Sequence, residues 1–453
     1  MKNNWANEAV FYHIYPLGLC DALYENDFQA IPSSKIDQLY PWLDHIQHLG
    51  ATAIYLGPIF ESSKHGYDTA DYFKVDRRLG NQQIMADWSR EVHQRGLRLV
   101  LDGVFNHVGR DFWAFKDLQN YGAVSRYVDW FQNINFNNRS PFQDAFSYEG
   151  WAGHYDLVKL NLENPEVRQH IFEAVRYWVE TFNIDGLRLD AADKISPDFF
   201  KALKRYCKTL RSDFWLMGEI VFGDYRELVN AEMLDSATNY EIYKSLYSSH
   251  VDANYFELAY ALKRQFGPEG IYRHLNLYSF ADNHDVDRVA STLGKESDLY
   301  PLYCLLFSMP GIPSIYYGSE WGINGKRTEY SDKELRPKLD LLQIDQSLNM
   351  NLLKAIQQLI KIRANSSALR FGAYEELFVS PQQFAFMRRY ADEKVIIVVN
   401  AALNPEKVQL QLPIKEGILE DLLNPGESFE IKDHQVNIHL HPTWGRIMVM
   451  HQK

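Results

Sequence analysis

Four stretches of this sequence close on residues that can carry charge or move a proton: Asp102-Gly-Val-Phe-Asn106-His107, Gly186-Leu-Arg188-Leu-Asp190, Met217-Gly218-Glu219 and Phe280-Ala-Asp282-Asn283-His284-Asp285. One such stretch by itself reads as a helix cap or a surface ion pair. Four in succession, each ending an apolar run, point to one acidic pocket. They join carboxylates to histidine and arginine, with neither a cysteine ligand set nor a His-x-x-x-His pair. That combination suits cleavage of a glycosidic bond. One carboxylic acid protonates the leaving oxygen, while a second carboxylate attacks or stabilises the oxocarbenium-like carbon. A third carboxylate nearby raises the pKa of the acid by like-charge repulsion and can bind sugar hydroxyls.

Residues spread over nearly two hundred positions need a scaffold that gathers them. From Val10 onward the chain alternates short β-rich runs with longer helical patterns. The runs are Val10–Tyr15, Ala53–Leu56, Leu97–Asp102, Gly186–Asp190, Trp215–Glu219, Met233–Ala237, Leu277–Ala281 and Ser314–Tyr317. On either side of the fourth run, Asn164–Pro165 and Ser196–Pro197 both read as a cap followed by a first-turn proline. Val167, Ile171, Val175, Trp178 and Phe182 share one helical face. Eight strand–helix units make either a closed barrel or an open doubly wound sheet. No G-x-G-x-x-G follows an early strand, so the expected fold class is α/β, a (β/α)8 TIM barrel. Reactive side chains then gather where its strands end. The stretch between runs three and four is too long for one connection, so an inserted subdomain is expected at 108–158, with the barrel taking 1–107 and 159–368. After Leu369 the runs shorten and alternate (Gln383–Tyr390, Lys394–Asn400, Lys407–Leu412, Gln435–Leu440, Trp444–Met450), which predicts a C-terminal antiparallel β-sheet domain at 369–453.

Composition narrows the partners. Of 453 residues, 46% are apolar and 23% charged, the balance of a folded globular chain. Lysine and arginine number 47 against 59 acids, a net charge of −12 that argues against a nucleic-acid backbone or an anionic membrane as partner. Cys20, Cys207 and Cys304 are too few and too scattered for a disulfide framework, and suit reduced thiols in the cytoplasm. The N-terminal run is broken by His13 and Pro16 and carries no signal-peptide pattern, and Leu302–Tyr317 is broken by Pro310, Gly311 and Pro313, so no membrane span is expected. Aromatic residues crowd into 112–155. They suit a small self-built core as well as a surface that stacks on sugar rings.

With these motifs in view, the chain resembles the α-amylase superfamily, glycoside hydrolase family 13. Asp102–His107, Gly186–Asp190, Glu219 and Phe280–Asp285 are similar to its four conserved regions. Gly50–Pro58, His65-Gly-Tyr67-Asp68, Val158–Asn161 and Asp332-x-x-x-Arg336 match in the same order. The resemblance implies Asp190 as nucleophile, Glu219 as general acid/base and Asp285 as transition-state stabiliser, with Arg188 keeping Asp190 ionised. It further implies that His107 and His284 hydrogen-bond the sugar under attack, that Tyr67 stacks beneath it, and that Asp332 and Arg336 hold its far side. His65 is the least specific of the set, an ordinary loop histidine fitting equally. Asp102 and Asn106 are expected to shape a turn, and Asp193 and Asp282 to line the wall. The Lys-Leu-Asn form at 159–161 and the Asn239–Tyr240 pair resemble the cyclomaltodextrinase, neopullulanase and maltogenic amylase branch, although this sequence starts at strand one, without that branch's N-terminal sheet domain. Where calcium-dependent relatives carry Lys-His after the nucleophile, this chain has Asp193-Lys194. No cofactor is expected, and calcium independence is favoured over a structural calcium, which the acids of the insert leave open. The implied activity is a retaining hydrolysis of α-1,4 bonds in maltooligosaccharides or cyclomaltodextrins. A transglycosylase, or an α-glucosidase or sucrose-acting relative, would use the same three carboxylates. The expected partner is an oligosaccharide substrate, and nothing in the sequence indicates a homo-oligomer.

Overall fold

The computed structural model describes residues 4–329, 331–344 and 349–452. Among them, eight short parallel strands run β1 Phe11–Ile14, β2 Ala53–Leu56, β3 Arg98–Gly103, β4 Gly186–Leu189, β5 Trp215–Gly218, β6 Ser236–Ala237, β7 Tyr278–Phe280 and β8 Ile312–Tyr316. They pair in the order β6-β5-β4-β3-β2-β1-β8-β7. The remaining seam closes through a parallel bridge between Thr238 and Tyr278, where the Asn239 N–H donates to the Tyr278 carbonyl at 2.8 Å. All eight runs expected from the sequence are strands of this barrel.

Both faces of these strands are buried, as helix-covered parallel sheets require. Outward residues such as Tyr12, Ile54, Leu99, Leu187 and Leu216 join the core beneath the helices. Inward residues Phe11, Ala53, Tyr55, Val100, Trp215, Met217, Tyr278, Phe280 and Ile312 plug the barrel's lower half. The helix Pro165–Phe182 begins as its sequence directs: Asn164 Oδ1 accepts the Glu166 N–H at 2.8 Å, and the predicted apolar face is buried. Between β5 and β6 only a single 3-10 turn, Tyr225–Glu227, replaces a helix among the described residues.

Between β3 and β4, His107–Gly109 pairs antiparallel with His154–Lys159, which in turn pairs with Gly150–Trp151. The loop they enclose packs on its own rings. Phe115 meets Phe131, Phe146 and Tyr148 edge-on at 5.0–5.8 Å, so most of the aromatic excess is core. Beyond the barrel, Ala373–Val379, Gln383–Tyr390, Glu393–Asn400, Gly417–Asp421, Ser428–Ile431 and Trp444–Gln452 form a six-stranded antiparallel sheet, with Glu406–Gln411 and Gln435–Leu440 paired separately. Ala373–Val379, Gly417–Asp421 and Ser428–Ile431 escaped sequence reading because acidic residues interrupt their short apolar pattern. Buried Arg363 and Arg388 join this sheet to the barrel. Arg363 donates to the carbonyls of Phe307, Gly311 and Leu369, and Arg388 to those of Ser308 and Gly372, at 2.6–3.2 Å.

Candidate active site

Strand alternation sets the site. Two positions beyond inward Val100 comes Asp102; Arg188 and Asp190 are likewise two apart on β4, and Glu219 is two beyond Met217. Register places Asp102 beside Arg188, and Arg188 beside Met217. The Arg188 guanidinium, 3% exposed, therefore lies among three carboxylates. Its Nη1 donates to Asp102 Oδ1 at 3.0 Å and Asp190 Oδ1 at 2.7 Å, while Nη2 lies 2.9 Å from Glu219 Oε1. Glu219 Oε2 accepts the Ala191 N–H at 3.0 Å, an approach made possible by a left-handed turn at Ala191 (φ 45°). The Tyr240 hydroxyl reaches Glu219 Oε1 at 3.4 Å and itself accepts from Asn283 Nδ2 at 3.2 Å. Asp102 also accepts from the hydroxyls of Tyr55 at 2.7 Å and Tyr67 at 3.1 Å. It anchors Arg188 in the site rather than only shaping the turn after β3.

Asp285 sits across from this trio in a cationic setting. Its Oδ2 lies 2.8 Å from His284 Nε2 and its Oδ1 accepts from Arg336 Nη2 at 3.0 Å. Arg336 also donates from Nε to the His284 carbonyl at 2.9 Å, lies over the Tyr15 ring, and pairs with Asp332 at 3.2 Å. Asp332 is shared with Arg327 at 2.7 Å. Arg336 and Asp332 thus reach Asp285 as one ionic chain. Tyr67 hydrogen-bonds His284 and stacks on its ring at 5.4 Å and 9°. His107 is buried, with Nε2 3.8 Å from Asp190 Oδ2. His65 lies at the edge, its Nδ1 accepting the Tyr67 N–H at 3.3 Å and standing 3.7 Å from Asp68. Asp282 is tied to Ser319 Oγ and the Val289 N–H at 2.8–2.9 Å, and Asp193 to Lys194 at 2.9 Å.

Charge differs across the pocket. Burial pushes the Asp190 carboxyl well above the usual carboxylate range; Arg188 opposes this, and the Glu219 and Asp102 carboxylates add to it. Arg188 therefore serves three acids, instead of holding Asp190 alone. At Asp285, burial also acts upward, but His284, Arg336 and Arg188 overcome it and hold the carboxyl well below the usual range. Burial pushes His107 down to about 3, leaving its ring neutral.

Asn106 Nδ2 faces the His107 ring at 3.2 Å. Several carboxylates of the insert that a calcium ion could use are already engaged. In the insert, Asp144 is taken by both Arg110 nitrogens, Ser140 and Gln119; Asp111 by Lys116 and Ser63; and Asp117 by Ser125. Tyr15, Tyr55, Tyr240 and Trp151 lie at the site without having been singled out as its members. Tyr55 could have been found by counting alternate positions from Ala53. Trp151 carried no such signal, because an inserted loop has no strand period to count.

The protein-family comparison matches residues 36–354 to the alpha amylase catalytic domain and 374–446 to the maltogenic amylase C-terminal domain. Neopullulanase 2 of Thermoactinomyces vulgaris is 31% identical over 98% of this chain and 78% of its own length. The cyclomaltodextrinase of Thermoanaerobacter pseudethanolicus is 27% identical over 92% and 74%. Among solved structures, the cyclic α-maltosyl-(1→6)-maltose hydrolase of Arthrobacter globiformis superposes with a TM-score of 0.82 at 27% identity, covering 99% of this chain and all of that one. With the barrel and the four acidic strand ends, these matches make the chain a member of the α-amylase family of glycoside hydrolases, on its neopullulanase, cyclomaltodextrinase and maltogenic amylase branch.

Proposed function

We propose that the protein hydrolyses α-1,4-glucosidic bonds of maltooligosaccharides or cyclomaltodextrins by double displacement, with retention of the α configuration. The observation that carries this reading is the single guanidinium shared by Asp190 and Glu219 through adjacent nitrogens. Two carboxyls so held suit the separation of about 5–5.5 Å at which one attacks directly, not the 6.5–9.5 Å that accommodates a water.

Turnover uses the arrangement in which the proton of the crowded trio sits on Glu219. Protonating Glu219 removes one of the charges that raise Asp190, and Arg188 then keeps Asp190 ionised for attack. Glu219 gives its proton to the glycosidic oxygen as Asp190 bonds to the anomeric carbon, forming a glycosyl-enzyme. Glu219, now a carboxylate, takes a proton from water as that water attacks the same carbon and releases Asp190. Asp285, kept ionised by its cations, faces the positive charge that develops on the sugar. Neutral His107 offers a hydrogen bond without adding charge. No step draws on a metal, and the carboxylates of the insert already engaged by Arg110, Lys116 and Ser125 support calcium independence. Buried free thiols at Cys20, Cys207 and Cys304 support a reducing, cytoplasmic setting, and among the described residues no helix is long and apolar enough to cross a membrane.

The test is parallel digestion of maltotriose, cyclomaltodextrins, pullulan, isomaltose, sucrose and soluble starch, with proton NMR of fresh products. Expected are α-anomeric glucose and maltose, formed faster from the short and cyclic glucans than from starch. A β-anomer released first, or cleavage confined to sucrose, would overturn the reading.

A further inference from the structure

Arg336 has little left to offer a substrate. Its Nε donates to the His284 carbonyl at 2.9 Å and its Nη1 to the Tyr15 hydroxyl at 3.4 Å, while its Nη2 donates to Asp285 at 3.0 Å and lies 3.2 Å from Asp332. The side chain is 12% exposed. Most of the donors of this guanidinium are therefore committed inside the protein.

Arg327 is the next cation outward on the same ionic chain, and it is held differently. Its side chain is 49% exposed, its Nε donates to Asp332 Oδ1 at 2.7 Å, and its two Nη groups meet no partner among the described residues. Its backbone N–H donates to Asp287 Oδ1 at 2.7 Å, two residues beyond Asp285. The loop is fixed to the segment after β7 at two further points: the Arg288 N–H donates to the Gly325 carbonyl and the Gly325 N–H to Ser291 Oγ, both at 2.9 Å. Gly325 is needed there, because a Cβ would stand 2.2 Å from the Glu334 carbonyl oxygen. Thr328 closes the turn, its N–H and hydroxyl both donating to the Ser331 carbonyl at 3.1 Å. Backbone and Nε thus tie the Arg327 guanidinium to the loop that carries Asp285, with its four Nη–H donors unspent.

A planar fork of this kind suits two neighbouring oxygens of one ligand. The surrounding charge selects which. Asp287, Asp332 and Glu334 all contact this loop, Glu334 accepting the Lys326 N–H at 3.3 Å. These carboxylates repel an anion. Adjacent hydroxyls of a neutral sugar can accept from the guanidinium and donate to Asp332 at once.

We propose that Arg327 is a specificity-determining residue, its Nη groups acting with Asp332 to bind adjacent hydroxyls of the second glucose unit on the non-reducing side of the bond cleaved. The inference rests on the glucan reading and deepens it: cleavage with two glucose units on that side is favoured over cleavage with one.

The probe is 4-nitrophenyl α-maltoside, which carries both choices in one molecule. Cleavage at the aryl bond places two glucose units on the non-reducing side and releases nitrophenol. Cleavage between the glucoses places one there and releases 4-nitrophenyl α-glucoside. The ratio of these products is independent of how much of a variant is folded. Arg327→Gln should lower the ratio of nitrophenol to nitrophenyl glucoside about tenfold, the lower end for a charge-assisted contact because the site is half exposed. Arg327→Lys should lower it nearly as far, since one ammonium does not span two hydroxyls. Added to an Asp190→Asn background, Arg327→Gln should weaken maltotriose binding in calorimetry by about the same factor. An Arg327→Gln variant with the parent's product ratio would overturn the proposal, and an Arg327→Lys variant that restores that ratio would overturn the paired contact. Either result leaves the glucan reading standing as long as the native enzyme cleaves maltotriose; if it cleaves neither maltotriose nor the nitrophenyl maltoside, that reading fails and the inference with it.

Discussion

Replacing Asp190 by Asn should abolish turnover and at the same time stabilise the folded protein at neutral and alkaline pH. The amide keeps the size of the side chain, and its Oδ1 can still accept from Arg188, now at 2.7 Å from the Asp190 carboxylate. What disappears is the attacking oxygen and a buried charge. Loss of a nucleophile costs about 10⁴–10⁶-fold in kcat, or roughly 5–8 kcal/mol of barrel-bound transition-state stabilisation. The gain in stability follows from charge crowding. At an effective dielectric of about 20, unit charges about 5 Å apart repel by roughly 3 kcal/mol, and a contact at about 4 Å attracts by roughly 4 kcal/mol. With all three acids ionised, Asp190 feels two repulsions and one attraction, which leaves roughly 2 kcal/mol against its charge before burial is added. Because the folded-state pKa is raised, the native protein holds this proton more tightly than the unfolded chain does. The Asp190 contribution to stability is therefore full below the unfolded value of about 3.9 and is lost as pH rises through the folded value. The variant should melt together with the wild type near pH 4 and above it at pH 8, a difference of about 1–3 kcal/mol that calorimetry resolves. Near-normal maltotriose hydrolysis would refute the nucleophile. A variant that melts below the wild type by the same margin at both pH values would refute the charge argument.

Glu219→Gln should lose about 10²–10⁴-fold in kcat on maltotriose but less than about tenfold on a 4-nitrophenyl glycoside, whose leaving group needs no protonation; equal losses on both would contradict the acid assignment. Prolonged EDTA treatment should change neither rate nor melting temperature, whereas a large drop reversed by calcium would show that the insert's acids rearrange into a metal site. Arg363→Met should destabilise the protein by about 3–5 kcal/mol by stranding the buried carbonyls of Phe307, Gly311 and Leu369, with KM unaltered in the remaining folded fraction. An unchanged melting temperature would mean that this junction contributes nothing to stability.

Much of this protein was legible from spacing alone. Strand runs, helix caps and the i, i+2 placement of Arg188 and Asp190 are local properties, written in a period of two or in a cap residue, so the barrel and its four acidic strand ends followed directly. What spacing could not supply is which group each charge meets. Arg188 was expected to serve Asp190; lateral register places Asp102 on the same guanidinium, and the turn at Ala191 brings Glu219 to it as well. Tyr67 was expected to stack beneath the sugar through its ring face; what spacing did not show is that its hydroxyl meets Asp102 and His284. Trp151 enters the pocket through a hairpin of the insert, whose position depends on pairing with a strand more than forty residues earlier. Sequence by itself determined which residues point into the barrel, because that depends on the pleat of one strand. Tertiary structure decided their protonation and partners, because register between strands and the low dielectric of a closed interior arise only when distant segments meet.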